Sequence, residues 1–284
     1  MGKHKTKMQT EQRQLQLSCP SCSAIFNHSG SALWSCPQCK AQFQTFDGIL
    51  SLLPKVTDGD LMEDYEQAAI EGECSAHAVG YISERHHQAM IRAFQGLLTP
   101  PPVDRLMLDV GCGHGMFSSD WTYQNRVVGV DFALNMLKLA RQNGLEVYHA
   151  DATVLPFEKD QFDIVLSAEL IQHFDEISAV LAGMVRVVKP GGSLLVSTIN
   201  ADSVVRRMYR NIRKVLRIRS DNKYLPILRS MDQLLMATLD LPLKLERIAL
   251  VYFPLRTRRY FSMPGWFNRR LASNFVVLFK KLPT

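Results

Sequence analysis

Leu108-Asp109-Val110-Gly111-Cys112-Gly113-His114-Gly115 decides how this chain is read. Apolar residues lead into an acid, and three glycines follow at every second position. A buried strand ending in such a turn brings backbone close to a ligand, because glycine lacks a Cβ and tolerates positive φ. The order of the strand-like runs after it gives the turn its weight. Twenty-two residues after Asp109, Val127-Val128-Gly129-Val130 ends in Asp131. Glu146 to Ala150 is a third strand-like run, ending in Asp151. Phe162 to Ser167 is a fourth, and Val188-Lys189-Pro190-Gly191-Gly192 turns into a fifth from Ser193 to Ile199. Acid-tipped strands separated by helices build a ligand crevice at the carboxyl ends of a parallel sheet, and an acid on the second strand is placed to bind ribose hydroxyls.

The turn is not the dinucleotide fingerprint, which reads GxGxxG. Here the glycines are GxGxG with an acid two residues ahead. A carboxylate at position 109 repels a pyrophosphate and suits a ligand bearing an amine. A dehydrogenase-like domain with a glycine turn is the alternative on the residues alone.

In this order the motifs resemble the class I S-adenosylmethionine-dependent methyltransferases, especially the ubiquinone/menaquinone-type group, closely over about residues 80–200. The resemblance implies an α/β fold: a seven-stranded Rossmann-like sheet of order 3-2-1-4-5-7-6 with the last strand antiparallel. It implies S-adenosyl-L-methionine as cofactor. The glycine turn (Gly111, Gly113, Gly115) would hold its methionine part, with Asp109 near the amino group. Asp131, with Phe132, would serve the ribose, and Asp151 with Ala152 the adenine. Asp109 as a turn-stabilising acid, and Asp131 and Asp151 as strand caps, are the structural alternatives. Ser167 to Phe174 follows the fourth strand. Glu169 and His173 are the candidate catalytic groups there, although His173 is read first as a histidine that caps or packs the following helix. Ser197, Thr198 and Asn200 end the fifth strand facing the same crevice. Cys112 reads as a small packing residue rather than a nucleophile.

Cys19-Pro20-Ser21-Cys22 is followed, thirteen residues later, by Cys36-Pro37-Gln38-Cys39. Two CxxC knuckles at this separation match a four-thiolate structural zinc ribbon over residues 15–54. Zinc would replace the core that some forty residues cannot build alone. A pair of disulfides is the alternative, disfavoured because nothing marks the chain as secreted. The ribbon resembles those of the small activator subunit of eukaryotic methyltransferases and those fused to many bacterial methyltransferases. A bacterial rRNA guanine methyltransferase family starts similarly but usually has a histidine where Cys39 stands.

The remaining organisation is a polar tail (1–14), whose first six residues fit a loose myristoylation pattern, a linker and helix (55–79), and the catalytic domain (80–284). Residues 80–98 read as a leading helix stopped by Pro100-Pro101-Pro102. Ser230 to Leu239 reads as a helix, and Lys244 to Phe253 and Asn274 to Lys280 as strands. No run of eighteen apolar residues exists, so no spanning helix is expected. No secretory signal is visible, and the expected location is the cytoplasm, with peripheral contact at a membrane as an option.

The net charge of +6 hides an asymmetry. Residues 203–284 hold 18 Lys+Arg against 4 Asp+Glu, leaving 15 against 23 in the first 202. An insertion at 203–229 concentrates the charge. Over 203–219, Val204, Met208, Ile212 and Val215 recur at helical spacing, opposite Arg206, Arg207, Arg210, Arg213, Lys214 and Arg217. Such a helix suits an anionic lipid surface, and with it a lipid-soluble acceptor such as a quinone precursor. RNA is the rival partner, although residues 15–54 hold Lys40 as their one basic residue. A soluble small-molecule acceptor, with the helix packed on the core as a lid, and a non-catalytic cofactor-binding adaptor complete the alternatives.

Overall fold

Leu106–Val110 (β4) is buried along its whole length. Such a strand must be covered on both faces, as central strands of parallel sheets are. In the computed structural model, which describes residues 14–26, 33–53, 84–215, 226–252 and 257–283, β4 lies inside an eight-stranded sheet. The others are β5 (Arg126–Asp131), β6 (Glu146–His149), β7 (Phe162–Ser167), β8 (Val188–Ile199), β9 (Leu243–Tyr252), β10 (Thr257–Phe261) and β11 (Asn274–Lys281). Their order is β10-β9-β11-β8-β7-β4-β5-β6. From β6 to β8 every pairing is parallel, and β11 runs antiparallel to both β8 and β9.

The sheet departs from the expected seven strands by one: an eighth is added outside β9, so the order gains a further member at that edge. The eighth strand, β10, forms a hairpin edge with β9, in register from Thr257↔Tyr252 to Phe261↔Ile248. It has a task. Its Tyr260 hydroxyl donates to the Arg92 carbonyl at 3.1 Å on helix α1 (Glu84–Leu97). A Cβ on Gly96 would stand 1.9 Å from that hydroxyl oxygen, so the glycine lets helix and strand meet.

Helices cover both faces. Ala89, Met90, Ala93, Phe94 and Leu97 of α1, with Leu137 and Ala140 of α2 (Leu134–Gln142), pack on one face. Val180, Leu181, Met184 and Val185 of α3 (Ser178–Val187) pack on the other. Each such large side chain contributes about 1.5–3 kcal/mol on burial. Helix α4 (Val204–Val215) starts at Ser203, whose Oγ accepts from the Arg206 amide at 3.2 Å. Helix α5 (Met231–Met236) opens with a capping box of Ser230 and Gln233, which satisfies two otherwise orphaned donors. Helix α6 (Trp266–Leu271) leads into β11.

The cysteine unit forms its own small sheet of β1 (Leu33–Ser35), β2 (Gln42–Phe46) and β3 (Ile49–Leu50). It is not a separate bead. Phe43, Leu50 and Leu52 belong to the α3-side core and Ile49 to the other. Ser51 bridges His149 in parallel fashion, so the unit covers the exposed edge of β6, as sheet edges require. The expected tail, except Gln14, and the linker at 55–79 lie outside the described residues, as do 216–225 of the insertion.

Candidate functional site

A crevice opens at the carboxyl ends of β4, β5 and β7. It is lined by Gly111 to His114, Met116, Phe117, Asp131, Phe132, Ala168 to Leu170, Gln172 and His173. One wall is the glycine turn. Gly111 (φ +71°) and Gly113 (φ +52°) adopt left-handed conformations. A Cβ on Gly111 would meet Leu170 Cδ1 at 2.7 Å, whereas one on Gly113 would meet nothing within 4 Å. Gly111 is therefore demanded by packing, and Gly113 leaves open space where a ligand can approach backbone.

The turn is tied to the tip of β5. The amides of Gly111 and Cys112 donate to the Val130 carbonyl at 2.8 and 3.0 Å. The Gly113 amide donates to Asp131 Oδ2 at 2.8 Å, and the Ala133 amide to Asp131 Oδ1 at 2.9 Å.

Four of the expected cofactor residues do not line the crevice. Asp109 is 1% exposed beneath the turn, where its Oδ2 accepts from Ser118 Oγ at 2.6 Å. Its Oδ1 has no protein partner. Burial pushes its carboxyl up to about 7, against the Ser118 hydrogen bond, and the nearby Asp131 charge adds to the rise. Gly115 (φ +83°) serves packing, since a Cβ there would lie 2.9 Å from Leu145 Cδ1. Asp151 follows β6, beyond β5 in the sheet, and its Oδ1 accepts from the Thr153 amide at 2.8 Å; Ala152 packs against the core. Cys112 is buried, and burial holds its thiol well above the ordinary value, which makes it an inert packing group.

The opposite wall carries Glu169 in a left-handed conformation (φ +57°), a strained state for a non-glycine residue that marks functional sites when the surroundings enforce it. Here they do. The Glu169 amide donates to Ser197 Oγ at 3.1 Å, and that hydroxyl donates back to Glu169 Oε1 at 3.1 Å. Asn274 Nδ2 lies 3.2 and 3.3 Å from the two carboxylate oxygens. Arg206 Nη2 in turn donates to Asn274 Oδ1 at 3.0 Å. Burial raises the Glu169 carboxyl; the Arg206 charge and the Asn274 and Ser197 hydrogen bonds oppose it. His173 ends the short turn Ile171–His173 and lines the crevice, its imidazole lowered by burial. Asn200 does not face the crevice, because its Nδ2 donates to the Arg269 and Ala272 carbonyls.

Sequence reasoning misses Asn274, His86 and His87. The two histidines are buried on α1. His87 meets Phe117 edge-on at 5.4 Å. His86 is pushed down to about 4 by burial first, then by the Arg206 charge. No local pattern distinguishes them from ordinary helix residues.

The helical wheel misplaces one residue of α4, Arg206. Arg206 turns inward to Asn274, while Met208, Ile212 and Val215 are exposed, Val215 at 81%. That stripe is not the buried face of a lid. Trp266 and Phe267 of the adjacent α6 are each 67% exposed.

The four cysteines of the small unit converge, with all sulfurs within 4.8 Å of one another and none in a disulfide. Cys19 and Cys39 sulfurs are 3.7 Å apart, and those of Cys22 and Cys36 are 3.5 Å apart. Among the described residues, no helix is long and apolar enough to cross a membrane.

Residues 108–196 match the family model of a methyltransferase domain. A demethylmenaquinone methyltransferase of Oceanobacillus iheyensis is 37% identical over 103 residues, 31% of this chain and 42% of that protein. A malonyl-[acyl-carrier protein] O-methyltransferase of Buchnera aphidicola is 36% identical over 126 residues, 43% of this chain and 50% of that one. The chain spans about half the length of the curated relatives it matches. Among solved structures, an S-adenosylmethionine-dependent methyltransferase of Thermotoga maritima, described as a possible histamine N-methyltransferase, superposes with a TM-score of 0.58 at 17% identity. It covers 78% of this chain and 99% of that one. Residues 108–196 accordingly match a methyltransferase domain, and the α/β fold around them is shared with the S-adenosylmethionine-dependent methyltransferase of Thermotoga maritima.

Proposed function

We propose that this chain transfers a methyl group from S-adenosylmethionine to a small, lipid-soluble acceptor. The carrying observation is the crevice itself: an open glycine turn stitched to Asp131 on one wall, and a conformationally strained carboxylate, Glu169, on the other. In this reading the Gly111–Gly113 backbone holds the methionine part and Asp131 the ribose hydroxyls. The Asp109 carboxylate, with one oxygen unpartnered, balances the amino group from beneath. Phe132 forms the adenine side within the crevice, and Asp151 and Ala152 continue that side beyond it, past the end of β6. When bound, the cofactor supplies a methyl already activated on a sulfonium, so the protein's task is positioning and exclusion of water.

Glu169 is the acceptor-side base. Burial brings it closer to neutrality, which favours taking a proton from an acceptor O–H or N–H. Ser197 and Asn274 hold its carboxylate in place, and His173 is the second candidate for the same role.

The four cysteines are proposed to hold structural zinc. A tetrahedral site with Zn–S of about 2.3 Å has sulfurs about 3.8 Å apart, close to the separations within the Cys19–Cys39 and Cys22–Cys36 pairs.

The lipid-soluble character of the acceptor rests on the surface of α4 and α6. Exposed Met208, Ile212, Val215, Trp266 and Phe267 lie with Arg207, Arg210 and Arg270, whose guanidinium sits 4.4 Å above the Trp266 ring. Apolar and aromatic side chains among arginines suit an anionic bilayer surface, each arginine being worth about 1 kcal/mol there. The demethylmenaquinone methyltransferase relative, by its name, acts on such an acceptor.

The test uses labelled S-adenosylmethionine with an extract of cells lacking the protein, fractionated into lipid, RNA, protein and small molecules. Label in the lipid fraction, lost in Asp131→Ala, is expected. Label in RNA, or none, would overturn the reading. Sedimentation with anionic vesicles should weaken in Arg207→Ala/Arg210→Ala; Arg206 is spared because it supports Asn274.

A further inference from the structure

The cysteine unit touches the sheet next to the cofactor crevice, and the contact is specific. His149, the last residue of β6, pairs with Asp131 in the ladder. Its Nε2 lies 2.8 Å from the Phe132 carbonyl and its Nδ1 2.9 Å from Ser51 Oγ. A carbonyl only accepts, so Nε2 carries the hydrogen and Nδ1 accepts from the serine. The imidazole is thus a buried strut from the cysteine unit to the peptide just past Asp131. The same unit reaches the other side of that loop. Asp47 binds α2, the helix that begins just after it, through Lys138 Nζ at 2.7 Å and through its carbonyl to Arg141 Nη1 at 2.7 Å. The Leu52 amide adds a 2.7 Å bond to the His149 carbonyl.

We infer that Ser51 and His149 are positioning residues for the cofactor loop, through which the four-cysteine unit holds Asp131 and Phe132 in their binding geometry. The inference rests on the proposed cofactor role of this crevice. Phe132 lies one residue past the end of β5, where the strand ladder no longer fixes it, and two bonds through one imidazole do so instead. A strut of this kind pre-organises a site rather than touching ligand, and a loosened site loses affinity by having to be ordered on binding.

The experiment compares the full-length, metal-replete chain with His149→Leu, His149→Gln and Ser51→Ala. Two quantities are measured: affinity for S-adenosylhomocysteine by calorimetry, and amide exchange of residues 131–134, with Leu194 to Val196 as the internal control. His149→Leu should weaken binding at least fivefold and speed exchange of the loop at least tenfold, with the control strand unchanged. Ser51→Ala should fall between. His149→Gln, which can restore an Nε2 donor, should return to within about twofold of the parent. A purely structural role predicts uniform acceleration and unchanged affinity below the melting range, and that result overturns the inference. If His149→Leu fails to fold, Ser51→Ala decides, and unchanged loop exchange in it is refuting. If the parent itself does not bind S-adenosylhomocysteine, the cofactor reading falls. Loop exchange then judges the strut alone, confined acceleration sustaining it and no acceleration overturning it.

Discussion

The Gly113 amide donates a 2.8 Å hydrogen bond to Asp131 Oδ2. The glycine turn after β4 and the acid at the tip of β5 are therefore one device. The same carboxylate caps the Ala133 amide with its other oxygen, so it shapes the turn and the next loop before any ligand arrives.

Asp131→Ala should abolish measurable S-adenosylhomocysteine binding, a loss of at least about 100-fold. Charge-assisted hydrogen bonds contribute about 1.5–3 kcal/mol each, and the variant loses ribose contacts together with the turn's anchor. Asp131→Asn keeps the shape but has one acceptor oxygen for two amides. It should cost about 1–3 kcal/mol of stability. Calorimetry and urea unfolding on the same preparations check both. Retained affinity in Asp131→Ala would show that the carboxylate faces no ribose.

Two glycines of the turn should fail differently. Gly111→Ala forces a left-handed alanine whose Cβ meets Leu170 at 2.7 Å; strain and overpacking together predict about 2–4 kcal/mol of destabilisation. Gly113→Ala meets no protein atom within 4 Å, so its stability cost should be about 1–2 kcal/mol. Its methyl projects into space the ligand would use, and affinity should fall more than stability does. Denaturant midpoints against binding constants separate the two, and equal binding by Gly113→Ala and the parent would place the ligand elsewhere.

The central strands β4 and β5 are legible in the sequence because each is a largely apolar run closed by a glycine turn or an acid, and burial on both faces requires that composition. β10 is not legible. Thr257 to Phe261 contains two arginines in five residues and no alternation, and pairing with β9 and α1, not propensity, makes it a strand. In the site, Asp131 and the glycines announce themselves through local spacing. Asn274 supports Glu169 from 105 residues away and His149 reaches Ser51 across 98, distances at which no motif operates. Arg206 shows the limit of the helical wheel: periodicity groups it with the exposed arginines, yet a buried polar partner draws it inward.

Purified without chelator, the protein should contain about one zinc per chain, released on Cys36→Ser. Cys36 is fully buried, whereas Cys39 is exposed, so the Cys36 variant should be the more destabilised of the two. Phe43, Leu50 and Leu52 share a core with α3, so metal loss should lower the melting temperature of the whole domain rather than unfold an independent module. Metal analysis with calorimetric melting checks this. A zinc-free preparation with unchanged melting would exclude the metal.

The last prediction concerns pH. Burial pushes the Asp109 carboxyl up to about 7 from an ordinary 3.8. A carboxyl raised in the folded state opposes folding once it ionises. The penalty is absent below about 4, grows between 4 and 7, and is complete above 7, on the order of 4 kcal/mol. Asp109→Asn should therefore gain stability over the parent as pH rises through that window, with the two closest at low pH. Binding has the opposite sense. A ligand ammonium favours the ionised carboxylate, so S-adenosylhomocysteine affinity should rise with pH and level off above 7, about tenfold weaker at pH 6 than at pH 8. Binding below pH 7 should release a proton, and Asp109→Asn should flatten the profile. Calorimetry in buffers of different ionisation enthalpy measures the proton directly. A flat profile in the parent would leave Asp109 as a strut for Ser118 with no part in binding.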